Sequence, residues 1–172
     1  MSSAEEQVLL HTKDYLTRFD VASFLILQDE HFNQCQDGTG KWDFFVKNSI
    51  RSVYDQRAYL KGGKALEFGG GPTLWPSFFL AQYVDEIRFC DYAPQNLAAV
   101  NSWLEQKSNA HDWTSIFKYV KMKHAEVVID SQLNVKDLNE WETRLRDALT
   151  RGGLSTCDVN NPNCPVLNGH AD

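Results

Sequence analysis

No run of about 18 apolar residues occurs in the chain, so no segment is long enough to cross a bilayer as a helix. Basic side chains are in the minority, 17 Lys and Arg against 23 Asp and Glu. The resulting charge of −6 argues against nucleic acid or an acidic membrane surface as partner, since either wants clustered cations. The opening, Met1-Ser2-Ser3-Ala4-Glu5-Glu6, lacks a basic region followed by an apolar one, so no secretory leader is expected. Cysteine is scarce. Cys35, Cys90, Cys157 and Cys164 form no C-x-x-C pair, and an even count without a leader favours four reduced thiols over disulfides. Internal repeats are absent. These absences leave a cytoplasmic, acidic chain whose 172 residues suit a single domain with a sizeable core.

What is present is organised around residues 64–92. Lys64-Ala65-Leu66-Glu67-Phe68 reads as a short buried strand, and Gly69-Gly70-Gly71-Pro72-Thr73 as a tight turn. A helix-length run follows, then Ile87-Arg88-Phe89-Cys90-Asp91, a second strand ending in an acid 20 residues beyond Gly71. A nucleoside-binding α/β unit needs this layout. Glycines let a ligand approach the backbone, and an acid at the tip of the next strand accepts from ribose hydroxyls. The glycines alone also suit an ordinary strand-to-helix turn; the acid at this spacing tips the reading toward a ligand.

Residues 5–32 read as helical, with Val8, Leu9, Tyr15, Leu16, Phe19, Phe24, Leu25 and Leu27 in a broken three-to-four spacing, and with Asp20 or Ser23 capping a second helix. Gln34–Gly40 is a turn by composition. Residues 41–60 read as a helix turning Trp42, Phe45, Val46, Ile50, Val53 and Tyr54 inward. These segments either cap the α/β unit or simply cover one face of its sheet. Further helices are expected at 73–83, 94–107, 111–123 and 138–149, and strands at 86–91 and 154–159; Pro76 and Pro94 fit first helical turns. Residues 124–137 are ambiguous, with Val127-Val128-Ile129 a candidate short strand, and residues 161–172 read as a disordered tail. Strands separated by helices imply a parallel sheet of order 3-2-1, the first half of a doubly wound fold, with strand one left as an edge. The implied division is a helical cap over 1–60, a partial Rossmann-like domain over 61–160, and the tail.

The motifs together resemble one family. Tyr15-Leu16-x-x-Phe19, Glu67-Phe68-Gly69-Gly70-Gly71-Pro72-Thr73, Asp91-Tyr92-x-x-Gln95-Asn96-Leu97, Trp103-Leu104, His111-Asp112-Trp113, Tyr119-Val120 and Cys157-Asp158-Val159 look like the small-molecule N-methyltransferases of the nicotinamide, phenylethanolamine and indolethylamine group. The resemblance covers about residues 12–160. It implies a class I methyltransferase fold, S-adenosylmethionine as cofactor, a small-molecule amine as substrate, a cytoplasmic location and monomeric behaviour. It also implies site residues. Gly69, Gly70 and Gly71 would shape the turn under the methionine and ribose, Asp91 would accept from the ribose hydroxyls, and Asn96 would lie near the adenosine. Asp158 and Val159 would hold the adenine, with Thr73 and Tyr92 inside the same motifs. Asn96 as a helix residue and Asp158 as a turn cap are the plainer readings. A generic nucleotide-binding dehydrogenase fits Asp91 but not the Cys-Asp-Val and Asp-Trp segments.

The chain departs from that pattern in places. The family's acid before the glycines is often Asp, here Glu67; its second turn position is often Ser, here Gly70. Three family tyrosines facing the cofactor are replaced by Phe24, Asp29 and Trp75, which with Tyr15 complete the expected cofactor set. The chain reads as ending after the third strand, and the residues that position the acceptor amine have no counterparts in it. No catalytic residue is therefore assigned; Tyr15, Asp29, His31 and His111 are general-base candidates with plainer surface or cap roles. A partner chain completing the sheet, or a non-catalytic cofactor-binding remnant, is the alternative to an active enzyme.

Overall fold

The computed structural model describes residues 12–35, 40–129, 137–158 and 160–161. The broken apolar spacing of the first stretch becomes two helices, α1 (Thr12–Arg18) and α2 (Val21–Gln34), separated at Phe19 and Asp20. Asp20 is the cap: its carboxylate accepts from the Ala22 and Ser23 amides at 3.0 and 3.2 Å, satisfying donors the helix itself leaves free. Val8 and Leu9 lie outside the described residues. The expected helix over 41–60 is likewise split, into α3 (Lys41–Asp55) and α4 (Arg57–Leu60). Val46 and Ile50 are fully buried, but Phe45 is not: it is 54% exposed, one position off the buried stripe set by Asp43, Val46 and Ile50.

Strand β1 (Gly63–Phe68) leads into the glycine turn, α5 (Trp75–Leu80), β2 (Val84–Asp91) and α6 (Pro94–Leu104). Pro76 and Pro94 sit in the first turns of α5 and α6, where no intrahelical amide bond is lost. Then come α7 (Thr114–Val127), α8 (Leu138–Gly152) and β3 (Leu154–Thr156). Val127 ends a helix and Val128-Ile129 are not in a strand, so the short strand considered at 127–129 is absent. β3 is shorter than expected, and Asp158 lies beyond it. Val159 and the expected tail, apart from Asn161, lie outside the described residues.

The three strands are parallel in the spatial order β1-β2-β3, equivalent to the expected 3-2-1. Parallel register puts partners on the same face. Ala65 and Glu67 therefore share a face with Ile87 and Phe89, both fully buried. The opposite face carries Lys64, Leu66 and Phe68 beside Glu86 and Arg88, and here the expected buried strand is corrected: Leu66 and Phe68 are 38% and 43% exposed. α8 lies so close on β2 that a Cβ at Gly152 would fall 2.0 Å from the Ile87 carbonyl oxygen. One core cluster joins Leu25, Phe32, Val46 and Ile50 of the N-terminal helices to Phe78, Phe117 and Trp141.

Candidate functional site

Each glycine of the turn has a different task. Gly69 and Gly71 have φ of +67° and +64°, the left-handed region that a side chain resists. Nothing lies within 4 Å of the position a Gly69 Cβ would take, so the turn is open at that point. Gly70 is confined instead: a Cβ there would lie 2.3 Å from the Phe89 ring. The absence of the family's common serine thus has a packing reason, since Phe89 fills the space. The amides of Gly69 and Gly70 donate to the Cys90 carbonyl, at 2.9 and 3.2 Å, and anchor the turn to the end of β2.

Asp91 is the hub. Its Oδ2 accepts from the Gly71 amide at 2.8 Å, and its Oδ1 from the Ala93 amide at 2.8 Å and the Asn96 side-chain amide at 2.9 Å. A carboxylate offers about four lone-pair sites, so three are occupied. One more donor can bind without change; both hydroxyls of a ribose require one present partner to yield. Asn96 is fully buried, and its amide also donates to the Tyr15 hydroxyl at 3.2 Å. Its Oδ1 is buried without a hydrogen-bond partner, which leaves an acceptor beside Asp91 waiting for a donor. Gln95 holds α1 in place by donating to the carbonyls of Tyr15 and Leu16 at 3.4 and 3.1 Å. The sequence placed Gln95 in a motif but carried no signal that it docks a helix.

Other expected residues divide into those near this hub and those elsewhere. Tyr15 packs on Phe19 (4.7 Å between ring centroids) and Phe19 on Phe24 (5.3 Å), so Phe24 continues an aromatic line from the hub. Thr73 is buried and donates to the Gly70 carbonyl at 3.4 Å, bracing the turn, and Tyr92 is half-buried after Asp91. Trp75 is buried in an aromatic cluster with Phe32, Trp42, Phe45 and Phe79. Asp29 is drawn to His111, 3.4 Å from Nε2, an ion-pair distance without hydrogen-bond geometry. That contact links α2 to the segment before α7. Asp158 accepts from the Asn160 amide at 2.9 Å, the turn-capping role, while the Cys157 amide donates to the Asp91 carbonyl at 2.9 Å and ties the end of β3 to the hub. Of the general-base candidates, His31 stacks on Trp42 at 5.8 Å between centroids.

Glu67, on the strand before the turn, accepts a hydrogen bond from the Ser77 hydroxyl of α5. Burial pushes its carboxyl up to about 7, against the opposing pull of that hydroxyl. Sequence showed the acid but not its burial, which only the packing of α5 on β1 creates.

The donor set fits an adenosine-bearing cofactor. An acid with spare acceptor capacity, an orphaned buried amide oxygen and an open glycine backbone converge at the ends of β1 and β2. The comparisons with known proteins point to N-methyltransferases. The family model described as the NNMT/PNMT/TEMT family matches residues 6–169. Indolethylamine N-methyltransferase of Mus musculus is 27% identical over 157 residues, 90% of this chain and 54% of that protein. Nicotinamide N-methyltransferase of Homo sapiens is 30% identical over 100 residues, 58% of this chain and 34% of that protein. The chain thus spans about half the length of the mouse relative, and its match spans a third of the human one.

Proposed function

The chain belongs to the NNMT/PNMT/TEMT family, and from that premise we propose that it binds S-adenosylmethionine at the ends of β1 and β2 and serves N-methylation of a small amine. The observation that carries this reading is the Asp91–Asn96–Gly71 cluster, with its spare carboxylate lone pair and unpaired amide oxygen, together with a turn that is open at Gly69. Asp91 would hold the ribose and Asn96 the adjoining hydroxyl or base, with Gly69–Gly71 beneath the aminoacyl arm. Tyr15, Phe24 and Thr73 would line the arm's surroundings, and Trp75, Tyr92, Asp29, Asp158 and Val159 complete the proposed set. The cofactor supplies an activated methyl group on a sulfonium; this chain's residues bind and orient it. Acceptors of the kind named for the relatives, nicotinamide or an indolethylamine, are the proposed substrate class. We place the protein in the cytoplasm, a monomer unless a partner chain completes the sheet, with no nucleic-acid or membrane partner.

Isothermal titration with S-adenosylhomocysteine, beside the Asp91→Ala variant, tests the reading. We expect binding by the native chain and its loss, by tenfold or more, in the variant. No binding by a chain that still melts cooperatively would refute it. A second reading has its own support: the chain spans about half of the mouse relative, and β1 pairs only with β2 among the described residues. On that reading the chain is a cofactor-binding portion without turnover of its own. Single-turnover methylation of nicotinamide or tryptamine by the purified chain decides between them.

A further inference from the structure

Asp29 and His111, two of the general-base candidates, meet between α2 and the segment before α7. Asp29 Oδ1 and His111 Nε2 face each other across 3.4 Å, both atoms are buried, and neither has a hydrogen-bond partner among the described residues. A buried acceptor left unmet is costly, so a ligand that brings it a donor gains more than an ordinary surface contact gives. Beside the pair a groove of about 440 Å³ runs between α2 and α6. Ala22, Leu25 and Ile26 form one wall, Ala98 and Ala99 the other, and His111 belongs to its lining. Asp29 follows Ile26 by three residues and Ala22 by seven, on the same face of α2, and so continues that wall toward His111. Ile26 is 58% exposed, an apolar surface that an apolar ligand would take out of water. Among the described residues no lysine or arginine lines the groove, and His111 is the only side chain within ion-pair distance of Asp29. Asp91, Asn96 and the glycine turn take no part in it. Asp29 is the one residue shared with the proposed cofactor set.

We propose that the groove between α2 and α6 is a second binding site, for a primary amine with an apolar tail. The ammonium lies at the Asp29–His111 pair, and the tail lies between Ile26 and the two alanines of α6. Asp29 supplies the opposite charge; the imidazole, with its proton on Nδ1, supplies the Nε2 lone pair. An ammonium has three donors, so it satisfies both unmet atoms and keeps one donor for water. Discrimination follows from the head group. An alcohol of the same length fills the groove but brings one donor and no charge, and a carboxylate brings charge of the wrong sign. No step of this uses a ligand at the Asp91 hub, so the site stands apart from the cofactor reading.

The experiment is a titration of the full chain, labelled at its alanine methyl groups, with n-hexylamine, 1-hexanol and hexanoate at pH 8, where an alkylamine is charged. The methyl resonances of Ala22, Ala98, Ala99 and Ala110 report on the groove directly. We expect saturable shifts centred on these four, with hexylamine binding about tenfold tighter than hexanol, as one charge-assisted bond to a buried acceptor implies. Hexanoate should leave them unmoved. Asp29→Asn should lower hexylamine to the affinity of hexanol and leave hexanol itself unchanged. Ala98→Phe, which fills the groove from an exposed position on α6, should abolish binding of both. Shifts centred elsewhere, absence of saturation, equal affinity for amine and alcohol, or an Asp29→Asn chain that still prefers the amine overturns the proposal. If Ala98→Phe fails to fold, the comparison of amine with alcohol in the native chain and in Asp29→Asn decides alone. Failure of S-adenosylhomocysteine to bind would refute the cofactor reading and leave this site to its own test.

Discussion

At Gly70 the backbone has room for a hydrogen and little else, because the Phe89 ring occupies the place of a side chain. Gly70→Ser, the residue common in the family at this position, is therefore expected to destabilise the chain by about 1–3 kcal/mol through overpacking. Phe89→Leu in the same molecule should recover part of the loss, and a double-mutant cycle from urea melts measures the coupling. Glu67 makes a pH-dependent prediction. The folded carboxyl keeps its proton to about pH 7, whereas an ordinary glutamate loses it near 4.5. Between those values the folded state binds more protons than the unfolded one, so stability falls as pH rises through that window. Glu67→Gln removes the penalty. It should match the native chain at pH 4 and exceed it at pH 8 by up to about 3 kcal/mol, read from denaturant midpoints at the two pH values.

Among the elements, α3 and α7 are joined by a buried charge cluster. Lys123 lies 2.9 Å from Asp43 and 3.1 Å from Glu126, Lys47 bridges the same two acids, and the Tyr119 hydroxyl donates to Asp43 at 2.8 Å. Burial alone would raise the Asp43 carboxyl, but Lys123, Tyr119 and Lys47 together hold it below the usual range. Its contribution is present above about pH 4 and is lost as pH falls through the lowered value. Lys123→Met leaves Asp43 buried with less compensation, and about 3 kcal/mol of destabilisation is expected at neutral pH, shrinking in acid. Thermal melts at pH 7 and pH 3 check this. The start of α8 is set by a reciprocal cap, in which the Glu140 amide donates to Asp137 and the Asp137 amide to Glu140, both at 2.8 Å. Asp137→Ala should cost about 1 kcal/mol and fray the first turn of α8.

For the whole molecule the distinctive feature is a pair of exposed apolar residues on one side of β1. Leu66 and Phe68 are exposed there, and β1 is paired on one edge only among the described residues. Such an edge with apolar neighbours invites further strand pairing. The native chain is expected to associate as concentration rises, and Leu66→Lys with Phe68→Lys to suppress this without loss of secondary structure. Sedimentation velocity over a concentration series, with circular dichroism of the variant, provides the check.

The local order of elements and the meeting of the glycine turn with Asp91 were legible in the sequence because both rest on short-range signals. Glycines in the turn, prolines in first turns and an acid 20 residues beyond Gly71 act within a few residues or across one strand-helix-strand unit. What required tertiary structure depends on which faces meet. The apolar letters of Leu66 and Phe45 could not show that both would stay exposed, nor Glu67 that α5 would pack on it. Asp29 could not show that His111, distant in sequence, would come to lie 3.4 Å away. Burial and pairing are properties of the neighbours that packing brings to a residue, and those neighbours lie tens of positions away along the chain.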